Sequence, residues 1–131
     1  MTAKINLSKT IITFADSEAE RMLTSVAGVT AVVIATVDGF DITSAIRGSA
    51  NAARVAALAS SISAISTVVS DEAALGLSKS VIIDTESGFA IVHCVRRADV
   101  ELGINVNADS SAILGQVLYQ TSQFAHKLTV A

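Results

Sequence analysis

The sequence contains no proline and a single cysteine, and only 4% of its 131 residues are aromatic. One cysteine excludes an internal disulfide and is typical of a reducing compartment, so we expect a cytoplasmic protein. The core must instead be built from alanine, valine, isoleucine and leucine. No linker-like stretch interrupts the chain, which predicts a single domain over residues 17–128, with residues 1–16 as an N-terminal extension or the start of the first helix.

Charge is also scarce and evenly spread. Twelve acidic and nine basic residues give a net charge of −3, and Arg96–Arg97 is the only adjacent basic pair. Nucleic-acid-binding proteins usually carry a clustered basic stripe, so this class is disfavoured. Residues 1–9 lack the pattern of a signal peptide. Residues 55–70 carry no charge, but they contain five serines and fall short of the roughly 20 apolar residues that a membrane span needs.

The local patterns predict three helices and five strands. Ser17 and Glu20 have capping-box spacing and Gly28 stands where a helix would end, which predicts a first helix over at least residues 17–27. Residues 7–14 either extend this helix or form a separate turn. Asp38-Gly39 predicts a tight hairpin between two strands. The remaining elements are strands at 29–36, 40–46, 79–84, 89–95 and 100–106, a long helix at 51–73, and a last helix from Asp109 or Ser110 to about Lys127.

Searches for a chemical centre find none. His93 and Cys94 are neighbours on a strand, where adjacent side chains point to opposite faces, so they are poorly placed to share a metal. The other histidine, His126, has no partner motif. No phosphate-binding loop of the form G-x-x-x-x-G-K-S/T is present. We therefore expect no enzyme activity, no cofactor and no metal site, and interpret the acidic residues at the two hairpins as solvated turn residues rather than an acid pair or cation site: Asp38, Asp41, Asp84 and Glu86.

The middle helix carries the most informative pattern. An apolar stripe with alternating spacings of three and four residues is typical of a helix–helix seam, and its members are Val55, Leu58, Ile62, Ile65 and Val69. Small residues occupy the rest of the helix where a surface helix would carry charge, among them Ala59, Ser63 and Ser66. We expect one face to cover the domain's own sheet and the small-residue face to contact another protein. The alternative is a helix buried within one monomer.

The strand at residues 40–46 is a second candidate interface. It follows a tight hairpin and carries few of the charges that usually protect a sheet edge. We expect it to be an edge strand that pairs with its own copy through Ile42, Thr43 and Ser44.

Several segments, taken in order, resemble the roadblock/dynein light-chain family over roughly residues 17–128. They are Gly28-Val29-Thr30-Ala31-Val32-Val33-Ile34, the turn Asp38-Gly39-Phe40, the Ala/Ser-rich helix at 52–69, Val81-Ile82-Ile83-Asp84, Gly88-Phe89-Ala90-Ile91-Val92, Asn107-Ala108-Asp109 and Leu114-Gly115. The interval between Asn107 and Gly115 departs from the family, which often places the asparagine directly before that glycine. The resemblance therefore leaves the first residue of the last helix undetermined to within one helical turn.

The resemblance implies a roadblock-like α/β (α+β) fold with one five-stranded, mostly antiparallel sheet and helices on both faces. It also implies a homodimer or heterodimer with paired middle helices and edge-to-edge second strands. Family members act as scaffolds or regulators of small Ras-like GTPases, as dynein light chains, or as GTPase partners in bacterial polarity and motility systems. We therefore expect a dimeric adaptor that binds a small GTPase. The second hypothesis is a purely structural assembly subunit. The third is a small-ligand sensor or an enzyme.

Overall fold

The computed structural model describes residues 7–131. Residues 1–6, which belong to the segment predicted as an extension or helix start, lie outside the described residues. The elements follow the predicted order of helix, two strands, helix, three strands and helix. They are α1 Lys9–Ser25, β1 Val29–Thr36, β2 Asp41–Ile46, α2 Ala52–Glu72, β3 Ser80–Thr85, β4 Gly88–Arg96, β5 Glu101–Asp109 and α3 Leu114–Val130.

The strands form one sheet in the order β2-β1-β5-β4-β3, and every neighbouring pair is antiparallel. Two of the three inner strands, β1 and β5, contain mostly buried residues, as expected for strands covered on both faces. β2 and β3 are the two edges. The predicted fold class and the predicted edge position of β2 are therefore confirmed.

Helices cover both faces of the sheet, but unequally. The main core lies on the face that α1 and α3 share, where Met22 of α1 and Phe124 of α3 are fully buried. On the other face, α2 contributes to a much smaller cluster made of Val33, Ala35 and Ala56. The α1/α3 face therefore supplies most of the burial that stabilises the fold, and α2 rests on a thin contact.

The first helix has the longer of its two predicted extents. The Ser8 side chain caps α1, because its Oγ accepts a hydrogen bond from the Ile11 N–H at 3.2 Å. Ile11 and Phe14 pack against the main core, and this burial outweighs the weak helix propensity of the β-branched run. The alternative in which the preceding segment extends the helix is therefore confirmed from Lys9 onward, whereas the predicted capping role of Ser17 is wrong, because Ser17 is an exposed residue inside the helix.

The last helix begins later than predicted, at Leu114 rather than at Asp109 or Ser110. β5 continues to Asp109, which pairs with Gly88 of β4. The Asp109 side chain accepts hydrogen bonds from the Ser111 hydroxyl and from the Ser111 backbone N–H, the latter at 2.9 Å. These bonds hold the pKa of Asp109 below its ordinary value. Asp109 therefore caps the turn that follows β5 instead of capping the helix.

The turn after α1 makes Gly28 a critical position. Gly28 has a φ of +85°, and a Cβ added to it would lie 2.4–2.6 Å from atoms of Ala112. We expect Gly28→Ala to lower the free energy of unfolding by about 3 kcal/mol, because backbone strain and a clash with backbone atoms add. Gly48 is the matched control, since its φ is +90° but no atom lies within 4 Å. Gly48→Ala should cost only about 1 kcal/mol, and equal effects in urea denaturation would contradict this account.

Candidate interaction surface

The side of α2 that faces away from the sheet is apolar and open to solvent. Leu58, Ile65, Val68 and Val69 expose 59%, 64%, 63% and 57% of their surface, and we call these four residues the outer patch. A contiguous apolar surface of this kind on a folded domain usually marks an interaction site. The alternative in which the middle helix is buried within one monomer is therefore wrong.

The opposite side of α2 contacts the sheet through small residues. Ala56 and Ala59 are buried, and the Ser60 hydroxyl donates a hydrogen bond to the Val37 carbonyl at 2.7 Å. Ser63 is half-buried beside them. The prediction that the small-residue face carrying Ala59 and Ser63 points toward another protein is therefore wrong. Small side chains let the helix approach its own sheet closely, and this leaves larger members of the apolar stripe outside.

The composition of α2 also meets a simple test for a membrane span. It is the one helix of residues 7–131 that is long and apolar enough to cross a membrane. Length and composition are weak evidence for a span, and the Ser60 hydrogen bond and the buried Ala56 attach α2 to the sheet. The predicted absence of a membrane span stays a prediction.

A groove extends the outer patch toward the β3 edge of the sheet. It is lined from α2 by Ile62, Ile65, Ser66, Val69 and Ser70, and on the other side by Ser78, which precedes β3, and by Ser80 and Val81 at the start of β3. A hydrogen bond between the hydroxyls of Ser66 and Ser78 joins its two walls. Ser66 therefore faces the groove, and the half-buried Ile62 links the outer patch to it.

β3 is an exposed sheet edge that the sequence reasoning missed. Among the strands of residues 7–131 it pairs only with β4, and its Ile82 and Ile83 expose 41% and 39% of their surface. Edge strands are normally protected by charges or prolines, and neither guards this central part of β3. The available signal is the run Val81-Ile82-Ile83, which places apolar side chains on both faces of one strand.

The predicted interface residues of β2 have other contacts. The Thr43 hydroxyl donates a hydrogen bond to a carboxylate oxygen of Asp16 in α1 at 2.7 Å, and Ile42 packs against the main core. Ser44 is half-buried on the α2 side of the sheet. β2 and β3 are opposite edges, so the structure does not join these three residues to the groove. An interface role for Ile42, Thr43 and Ser44 stays a prediction.

A small cavity of about 140 Å³ lies between α2 and the sheet, with Ser63, Cys94 and Asn105 among its lining residues. Burial raises the pKa of the Cys94 thiol, although the nearby Arg96 opposes the shift. The thiol is therefore protonated at neutral pH and is a weak nucleophile. His93 points to the opposite face, where its Nε2 lies 3.4 Å from the Ser122 hydroxyl of α3. The predicted separation of His93 and Cys94 is confirmed.

The acidic residues of the two hairpins do not form one site. The β1–β2 turn follows Thr36, which pairs with Leu102 at one end of β5, whereas Gly88 of the β3–β4 turn pairs with Asp109 at the other end. The two turns therefore lie at opposite ends of the sheet. Within residues 7–131, no three His, Cys, Asp or Glu side chains are close enough to hold a metal ion.

Comparisons with solved structures identify the fold. No family model matches the sequence, and no curated protein matches it either. A structure described as MglB with tetrameric arrangement superposes with a TM-score of 0.84 at 15% identity, covering 99% of this chain and 96% of that chain. The roadblock/LC7 domain from Streptomyces avermitilis gives 0.77 at 18% identity, with coverages of 86% and 92%. Myxococcus xanthus MglB gives 0.82 at 13% identity, with coverages of 96% and 92%. The chain therefore has the roadblock fold, as the sequence resemblance implies.

Proposed function

We propose that this chain is a cytoplasmic, non-catalytic homodimer of the roadblock type that binds and regulates a small Ras-like GTPase. The observation that carries the proposal is the outer patch of α2, an apolar and uncharged surface on a chain with the roadblock fold. Such a protein acts by contact with its partners and needs no cofactor or metal.

The occupant that best fits the outer patch is a second copy of the same chain. Most soluble oligomers are symmetric, and a two-fold axis brings the same patch of both subunits together. Leu58, Ile65 and Val69 belong to the apolar stripe, whose spacing allows the side chains of two helices to interdigitate. One solved relative of this fold is described as a tetramer, which supports self-association as a property compatible with the fold.

The exposed edge supports pairing at β3 rather than at β2. Ile82 and Ile83 would lose their exposure to water if β3 paired with its own copy, and the groove would close beneath the paired α2 helices. β2 instead has Ile42 packed on the core and Thr43 bonded to α1. We therefore propose one continuous interface formed by the outer patch, the groove and β3.

The first test is the mass in solution. Light scattering at micromolar concentration should give twice the chain mass of 13.4 kDa. A monomer mass throughout a dilution series would contradict the proposal. Sedimentation with phosphatidylcholine vesicles provides a second arm, in which the dimer should stay in the supernatant. A monomer that sediments with the vesicles would assign the outer patch to a membrane instead.

Regulation of a GTPase requires a difference in affinity between its two nucleotide states. The sequence has no phosphate-binding loop, so the partner GTPase must bind the nucleotide. The chain can then act only by stabilising one conformation of that GTPase.

The second test compares small Ras-like GTPases from the same organism, loaded with GDP or with a non-hydrolysable GTP analogue. We expect at least one to bind the purified chain about tenfold more tightly in one state, a typical coupling between two sites. The chain alone should not hydrolyse GTP. Equal capture in both states would exclude regulation and leave a structural assembly subunit as the function.

A further inference from the structure

The charged residues of α2 stand at its two ends. Arg54 lies in the first turn, Asp71 and Glu72 lie in the last turn, and residues 55–70 between them carry no charge. All three side chains are exposed. Within residues 7–131, none of the three takes part in an ion pair. Their roles are therefore not explained by contacts within one subunit.

These charges oppose the electrostatics of their own helix. The N-terminus of a helix carries a partial positive charge and the C-terminus a partial negative charge. A basic residue in the first turn and acidic residues in the last turn are both repelled, and α2 has no acidic residue in its first turn and no basic residue in its last turn. The arrangement weakens the isolated helix, so a compensating interaction is expected elsewhere.

We infer that the end charges of α2 select a second copy of this chain in antiparallel orientation, an inference that rests on the proposed dimer. When two α2 helices cross antiparallel with their uncharged stretches in contact, the basic end of each meets the acidic end of the other. Arg54 and Glu72 lie on the same side of α2 because they are five full turns apart. Arg54 then lies beside the partner's Glu72, with the partner's Asp71 in the same turn, and each charge also lies near the helix end that attracts it. A parallel arrangement would bring like charges together at both ends.

The same pattern favours pairing of this chain with itself. A different chain satisfies both ends only if it has a basic first turn, an uncharged middle and an acidic last turn of matching length. The outer patch is apolar and provides little discrimination between partners, whereas misplaced charges at its ends repel. The end charges therefore govern partner choice within the antiparallel arrangement, and the outer patch supplies most of the affinity.

The test uses two complementary charge reversals, Arg54→Glu and the double change Asp71→Lys with Glu72→Lys. Each variant alone places like charges at both ends of its antiparallel homodimer, so each should dimerise about tenfold or more weakly than the wild type. An equal mixture should form a heterodimer with affinity near that of the wild type, because basic ends again meet acidic ends. The triple variant that carries all three changes should also recover its homodimer. Sedimentation velocity measures all four cases.

Folding controls are built into this design. Each reversal gives its end of α2 the sign of charge that the helix dipole favours there. The thermal stability of each isolated subunit should therefore equal or exceed that of the wild type. Lys9→Glu makes the same charge change as Arg54→Glu at an exposed position in the first turn of α1 and should leave dimerisation unchanged.

The outcomes separate this inference from the proposed function. Suppose that the wild type is dimeric, that each reversal variant dimerises as tightly as the wild type, and that their mixture forms no tighter heterodimer. The end charges then do not direct pairing, and only the inference fails. A triple variant that dimerises as weakly as the two reversal variants would also overturn the inference. If the wild type is monomeric, the proposed dimer itself fails.

Discussion

Ile65→Glu should separate the two subunits while leaving each one folded. Ile65 belongs to the outer patch and exposes 64% of its surface in the single subunit, so the change leaves the core intact. Glutamate is also a good helix former. In the proposed dimer the carboxylate would be buried without a partner, which costs several kcal/mol. The dissociation constant should therefore rise by about two orders of magnitude or more.

Light scattering and circular dichroism together test this result. The expected outcome is a monomer mass with unchanged helix content. Ala57→Glu is the matched control, because Ala57 is exposed on the same helix but lies on the flank nearest the β1–β2 turn, 3.3 Å from where a Cβ on Gly39 would stand. Ala57→Glu should remain dimeric. If Ile65→Glu also remains dimeric, the outer patch is not the interface.

Ala56→Glu should have the opposite effect, with loss of fold stability in each subunit. Ala56 exposes 1% of its surface and packs against Val33 and Ala35 of β1. A glutamate there must either bury its carboxylate against apolar residues or lift α2 from the sheet. We expect the free energy of unfolding to fall by about 4 kcal/mol, since both burial of an unpaired charge and overpacking contribute.

Urea denaturation at a concentration below the dimer dissociation constant isolates this effect from dimerisation. Ala57→Glu, one residue further on and exposed, should change the free energy of unfolding by no more than about 0.5 kcal/mol, as surface substitutions usually do. Wild-type stability in Ala56→Glu would show that α2 does not pack on its sheet through this residue.

Much of the fold could be predicted from the sequence because its signals are local. Alternation and apolar runs indicate the strands, and Asp38-Gly39 marks a turn that only residues tolerant of positive φ adopt readily. Asn51 illustrates the same point, since its side chain accepts a hydrogen bond from the Arg54 N–H at 3.0 Å and caps α2 at the predicted start. Such contacts join residues only a few positions apart.

The predicted capping roles of Ser17 and Asp109 were wrong because both residues also fit other local structures. Capping-box spacing is a permissive pattern, and the packing of Ile11 and Phe14 on the core extends α1 beyond it. Asp109 is a good helix cap, but pairing with β4 retains it in the sheet and directs its side chain to Ser111. Long-range contacts decided both cases.

The sequence by itself determined the order of the elements, the absence of charge along α2 and the position of its charges at the two ends. Only the tertiary structure decided which side of α2 touches the sheet and which sheet edge is open. An apolar stripe and a small-residue face are both able to cover a sheet, and helical periodicity cannot choose between them. The choice follows from close packing, because Ala56 and Ala59 let the helix approach the strands and the larger side chains of the outer patch then have no place inside.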